Sequence, residues 1–214
     1  MQLRKIARQG ITVRVLISVI FVFSISPPAF ADIRGSAHDF SGRAWSDGMI
    51  CTPCHTPHNA DTSVTDAPLW NHTVTSASYT LYSSPTLQIA PLQPRSVSKL
   101  CLSCHDGTVA VESFGGNTGT TLLEGDALVG TNLSNDHPVS IYWDHQTAST
   151  GTGLKCNNCH ALHGTPRLIS VLPFFDHYVE CATCHDVHNA YPANGKLLRL
   201  PKTNSQLCLY CHGK

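Results

Sequence analysis

No apolar run in this chain is long enough to cross a bilayer as a helix. The longest, Val15 to Ile25, is eleven residues broken by Ser18 and Ser24, against the roughly 20 that a spanning helix needs. Arg4, Lys5, Arg8 and Arg14 precede that run, and Ala29-Phe30-Ala31 supplies a small-x-small cleavage site after it. The pattern predicts a secretory signal peptide over residues 1–31, with a single domain over 32–214. The protein is therefore expected to be exported, with no stable membrane insertion once the signal is cleaved.

Core-forming residues are also scarce. Leu, Ile, Val and Phe number 38 of the 183 residues that remain (214 minus 31), close to the level at which chains stop folding unaided. Strand signals are few and helical periodicity is poorly sustained. A surplus of positive charge is missing too. The chain has 14 basic and 14 acidic residues, and four of the basic ones lie before Asp32, leaving 10 against 14, or −4. That balance argues against nucleic acid or anionic lipid as a partner.

No cysteine lies outside one recurring motif. All ten fall in five Cys-x-x-Cys-His units: Cys51–Cys54–His55, Cys101–Cys104–His105, Cys156–Cys159–His160, Cys181–Cys184–His185 and Cys208–Cys211–His212. The two thiols and the adjacent imidazole are what covalent c-type haem attachment requires: thioether bonds hold the macrocycle and the histidine reaches the iron. Zinc sites need no histidine after each pair, a disulfide framework would not keep one fixed spacing, and thioredoxin-like sites come singly on an α/β domain. Five haems c are expected. They supply the apolar core that the polypeptide lacks, so the haem-free chain is expected to be largely unfolded.

With about 37 residues per haem (183 divided by five motifs), the expected fold is haem-cored and mostly irregular, with short α-helices at the motifs and little β-structure. Residues 115–135, rich in Gly, Thr and Asn, read as a surface excursion, and 83–93 as an extended connector.

Methionine is nearly absent as an axial ligand: Met1 leaves with the signal, and Met49 is placed for packing. Histidine is plentiful. Eight remain besides the five in the motifs: His38, His58, His72, His137, His145, His163, His177 and His188. Five distal ligands would give bis-histidine, low-spin coordination throughout, which suits electron transfer and leaves no open iron. His58, His163 and His188 each lie three residues after a motif histidine. Both members of such a pair cannot bind one iron from opposite sides, so the second should reach a neighbouring haem, which forces the haems together. His137 is followed by Pro138 and preceded by Asp136, and His38 lies in Ser36-Ala37-His38-Asp39-Phe40. His72, His145 and His177 are weaker candidates.

Several blocks resemble the doubled-CXXCH cytochromes: Gly35-Ser36-Ala37-His38-Asp39, residues 50–60, Pro68-Leu69-Trp70-Asn71, residues 98–108, Asn135-Asp136-His137-Pro138-Val139-Ser140 and the closing Cys208 to Lys214. More narrowly, the chain is similar to small tetrahaem cytochromes of metal-reducing bacteria that polymerise into extracellular nanowires. That resemblance implies distal ligands at His38, His58, His137 and His188. This sequence departs from the pattern by its motif at Cys156–His160, within residues 151–176, whose distal ligand is expected to be His163, with His177 and His145 as alternatives.

The expected function is electron transfer along closely spaced haems in extracellular electron transfer; its sharper form is a filament subunit in which His38 crosses to a neighbour's haem. One alternative is a soluble periplasmic pentahaem shuttle to a terminal reductase, with His38 ligating in its own chain. Another is a multihaem reductase with one open haem, although no Cys-x-x-Cys-Lys occurs. Expected partners are other cytochromes or redox proteins and, in the filament case, further copies of the chain; the expected location is the periplasm or the outer cell surface of a bacterium.

Overall fold

The computed structural model describes residues 33–87, 89–143, 172–173, 175–189 and 191–212. Most of these residues are loop and turn. The regular elements are helix α1 (Ser96–His105), strand β1 (Ile141–Tyr142), strand β2 (Tyr178–Val179), helix α2 (Cys181–Cys184) and helix α3 (Gln206–Cys211), with short 3-10 turns at Ala44–Ser46, Gly125–Ala127, Pro192–Asn194 and Thr203–Ser205. The low β content and brief helices match the expectation from composition. The Cys156–His160 motif, His145, His163 and the proposed signal peptide fall outside the described residues.

The motifs themselves generate the helical structure. His55 N–H donates to the Cys51 carbonyl at 2.8 Å, His185 N–H to Cys181 at 3.0 Å and His212 N–H to Cys208 at 2.8 Å. Each motif thus closes one turn, which swings its histidine to the side of the cysteine pair. The second motif extends this into α1, the longest helix. It begins just after Pro94, which disfavours helix at the residue before itself. It ends at Gly107, whose φ of +74° takes the left-handed conformation that ends many helices. A Cβ at Gly107 would lie 2.6 Å from Leu128 Cδ1, the end of an exposed side chain that can turn aside, so it is the backbone conformation that favours glycine here.

Small polar side chains let other segments approach α1 closely. Ser98 and Ser103 are fully buried on it. Ser98 Oγ accepts the Cys181 N–H at 2.9 Å, tying α2 to α1. Ser103 Oγ accepts the Thr75 N–H at 3.0 Å while donating to the Lys99 carbonyl at 2.8 Å. Helix α2 is framed by a reciprocal cap between Glu180 and Thr183, and buried Glu180 receives the Ser140 hydroxyl at 3.0 Å. Strands β1 and β2 pair antiparallel, Ile141 against Val179 and Tyr142 against Tyr178, and the Arg95 guanidinium at the foot of α1 covers the Tyr178 ring at 4.3 Å.

The connector over 83–93 docks through one side chain. Gln93 accepts the Tyr79 N–H and donates to the Tyr79 carbonyl, both at 2.9 Å, standing in for a strand partner. The apolar clusters are small: Val64, Trp70 and Leu100 form one, and Tyr79, Leu102 and Leu133 the other. Leu102 is 3% exposed. Leu102→Ala is expected to destabilise the holoprotein by about 2–5 kcal/mol, measured by guanidinium unfolding followed at the Soret band.

Candidate haem centres

Three pairs of histidines, each far apart in sequence, meet ring to ring. The centroids of His38 and His105 are 6.0 Å apart, those of His55 and His188 6.1 Å, and those of His137 and His212 6.2 Å. Two imidazoles bound to one metal at about 2.0 Å each, with each ring centre about 1.1 Å behind its nitrogen, sit about 6 Å apart. Each pair joins a motif histidine to one of the spare histidines singled out above. The planes of His55 and His188 lie 14° apart, while those of His137 and His212 are near perpendicular at 77°.

The other ring nitrogen is held where an axial ligand needs it. His55 Nδ1–H donates to the Pro68 carbonyl at 2.6 Å, His105 Nδ1–H to Ala127 at 2.7 Å and His185 Nδ1–H to Lys196 at 3.0 Å. His137 Nδ1–H donates to Pro138 at 3.0 Å. With Nδ1–H donated to a carbonyl, Nε2 of the neutral ring is left unprotonated, the form that could hold a metal. Burial pushes His38 down to about 4, with His105, His185 and His188 nearby adding to the effect. Burial also lowers His185 and His137. These imidazoles are held neutral, the form that binds metal.

Burial raises four motif thiols, Cys54 to about 11, Cys104 to about 12, Cys211 to about 11, and Cys184. Such thiols are poor nucleophiles, which argues against a thiol-redox site. Cys181 is lowered, first by a hydrogen bond with Cys101; that contact brings the second and fourth motifs together. Among the described residues no three His, Cys, Asp or Glu side chains converge as a zinc centre would require. The residues fit covalent haem between facing imidazoles.

The remaining histidines separate cleanly. His72 is 3% exposed, with Nδ1 2.9 Å from the Thr73 carbonyl and Nε2 3.0 Å from the Ala110 carbonyl. A neutral ring donates through one nitrogen to one of those carbonyls, and Nε2 also lies 3.5 Å from Cys104 Sγ, so His72 packs beside the second motif. His177 lies beside the Tyr142 ring at 6.2 Å, next to the β1–β2 pair. His58 is exposed, and among the described residues neither it nor His185 makes a ring contact with another histidine. The backbone acceptors at Pro68, Ala127 and Lys196 were not legible in the sequence. Ala127 belongs to the excursion over 115–135, which folds back to orient His105.

Motifs that can each fix a haem, with imidazoles facing across the gaps between them, define a multihaem c-type cytochrome, an electron-transfer class. Consistent with that class, residues 176–214 match the family described as the doubled CXXCH motif, a stretch that takes in the fourth and fifth motifs. No curated protein matches the chain. Among the described residues no helix is long and apolar enough to cross a membrane.

Proposed function

We propose that the chain carries electrons along closely spaced bis-histidine haems in extracellular electron transfer. The observation that supports this is the set of three imidazole pairs at 6.0–6.2 Å. On this reading His38 serves the second-motif haem, His188 the first and His137 the fifth. Since His188, three residues after His185, faces His55, the reciprocal arrangement assigns His58, three residues after His55, to the fourth-motif haem. His163 is left for the haem of His160. The cysteines Cys51, Cys54, Cys101, Cys104, Cys156, Cys159, Cys181, Cys184, Cys208 and Cys211 carry the thioether bonds.

When bound, haem supplies a one-electron couple. The paired histidines would hold each haem and the surrounding chain would exclude water from it, so that a one-electron change would require little rearrangement. His38 faces His105 of its own chain, which favours ligation in cis; a filament on this reading assembles by haem-edge contact between copies and does not need to borrow that histidine. Mass spectrometry of protein matured with haem is expected to give five haems. Negative-stain electron microscopy then separates the filament subunit from the periplasmic shuttle: ordered polymers support the first, and uniform small particles the second.

One observation favours a second reading. His58 is exposed and His185 has no facing imidazole among the described residues, so the fourth-motif haem is where a reductase with one open iron would work. Carbon monoxide binding to one haem equivalent of reduced wild-type protein would support that reading; its absence would support coordination by His58.

A further inference from the structure

The second and fourth motifs, taken as haem sites as proposed above, share one feature: an aspartate directly after the proximal histidine. Asp106 is 4% exposed and Asp186 8%. Their surroundings differ in charge. Asp106 Oδ2 accepts the Thr75 hydroxyl at 2.7 Å and the Tyr79 hydroxyl at 2.6 Å. Its Oδ1 accepts the Thr108 N–H at 2.7 Å and the Thr108 hydroxyl at 2.8 Å. Four donors converge on two oxygens, a pocket fitted to the carboxylate and not to the acid. Every one of those donors is neutral, so the charge is solvated but not cancelled.

Asp186 is compensated instead. Arg199 Nη1 lies 3.7 Å from its Oδ2, and Arg199 Nε is pinned to the Ala182 carbonyl at 2.9 Å. The carboxylate also accepts the His188 N–H at Oδ1, at 3.1 Å; the His188 ring nitrogen, at 3.8 Å, is beyond hydrogen-bond reach.

A buried charge in a medium of low dielectric acts over several ångströms, and net charge near a haem is one of the quantities that sets its potential. Reduction removes one positive charge from the haem, so a fixed anion opposes it. Helices α1 and α2 pack together through Ser98 and Cys181 at 2.9 Å, so the two sites are neighbours. We propose that Asp106 is a potential-setting residue: its uncancelled charge lowers the second-motif haem below the fourth, whose aspartate is neutralised by Arg199. An electron delivered to the second haem by an external one-electron donor then passes downhill to the fourth. The second iron returns from ferrous to ferric, the fourth goes from ferric to ferrous, and no proton moves.

The test is a redox titration of the holoprotein followed by paramagnetic proton NMR of the haem methyls, with each haem assigned through its neighbouring side chains. Asp106→Asn is expected to favour reduction of the second haem about tenfold, equivalent to about 59 mV for a one-electron couple. Arg199→Gln is expected to move the fourth haem in the opposite direction, and it stands as an independent test if Asp106→Asn does not mature. Tyr79→Phe removes a donor but keeps the charge, and is expected not to raise the second haem. The inference is overturned if Asp106→Asn leaves an attached second haem unmoved, if Tyr79→Phe raises it equally, or if Arg199→Gln leaves the fourth unchanged. A tryptic peptide carrying Cys101 and Cys104 without haem would overturn the haem assignment itself, a separate failure.

Discussion

Haem-free protein shows no cooperative unfolding transition. This is the largest effect expected, because nearly all of the stability depends on cofactor. The two apolar clusters among the described residues contain three buried side chains each, far short of the single continuous core that normally holds a domain together. Among the described residues the longest helix, α1, has ten residues, and α2 and α3 have four and six. Isolated helices shorter than about 12–15 residues are marginal in water, and the β1–β2 pairing involves two residues on each strand. What remains is a set of turns held against imidazoles that face across gaps the size of a ligated metal. Filling those gaps couples binding to folding, as in small metal-dependent domains. The check is circular dichroism with urea on protein expressed without haem maturation, beside the holoprotein. A sigmoidal transition in the haem-free chain, with a slope typical of a domain of this size, would show that the polypeptide carries its own core.

The sequence reveals more of the chemistry here than of the tertiary structure. The five motifs are readable because haem attachment needs two thiols and an imidazole at fixed spacing, which ties function to local sequence. The low regular-structure content follows from the scarcity of Leu, Ile, Val and Phe. Which distal histidine meets which motif is a different kind of information. His55 and His188 are 133 residues apart (188 minus 55), and no local signal encodes that partnership; the spacing of His188 from His185 says only that it must leave its own motif. His72 shows the converse. As a spare imidazole it is indistinguishable in sequence from His137, and only its burial between the Thr73 and Ala110 carbonyls excludes it. The carbonyls that orient the proximal rings are backbone groups, which every residue possesses, so Pro68, Ala127 and Lys196 carry no side-chain signature. Asp106 was visible as a residue, but its meaning depends on Thr75 and Tyr79, which the fold brings from some thirty residues upstream.

Removing one distal imidazole at a time is expected to convert one haem at a time. His38→Ala, His188→Ala and His137→Ala should each turn a single low-spin haem high-spin in the oxidised protein, and each should open one carbon monoxide site after reduction. The expected change is about one fifth of the haem signal per variant, if all five motifs are loaded, because each pair serves one iron. The paired geometry also says where each change falls. His188→Ala should perturb the haem attached at Cys51 and Cys54, although His188 lies only three residues from His185 and far in sequence from the first motif. His72→Ala is the control. It leaves the axial spectrum intact but destabilises the holoprotein by about 1–3 kcal/mol, since it removes a buried side chain and the one hydrogen bond that its ring donates. Electron paramagnetic resonance counts the high-spin centres, and haem-methyl NMR locates them. If His188→Ala changed the fourth-motif haem and spared the first, the pairing of His188 with His55 would be wrong. If His72→Ala produced a high-spin haem, the packing of His72 against the Thr73 and Ala110 carbonyls would not survive haem binding. The contrast between these imidazoles rests on one physical difference, a ring that meets a motif histidine at 6.0–6.2 Å against a ring whose Nε2 lies 3.0 Å from a carbonyl oxygen and 3.5 Å from Cys104 Sγ.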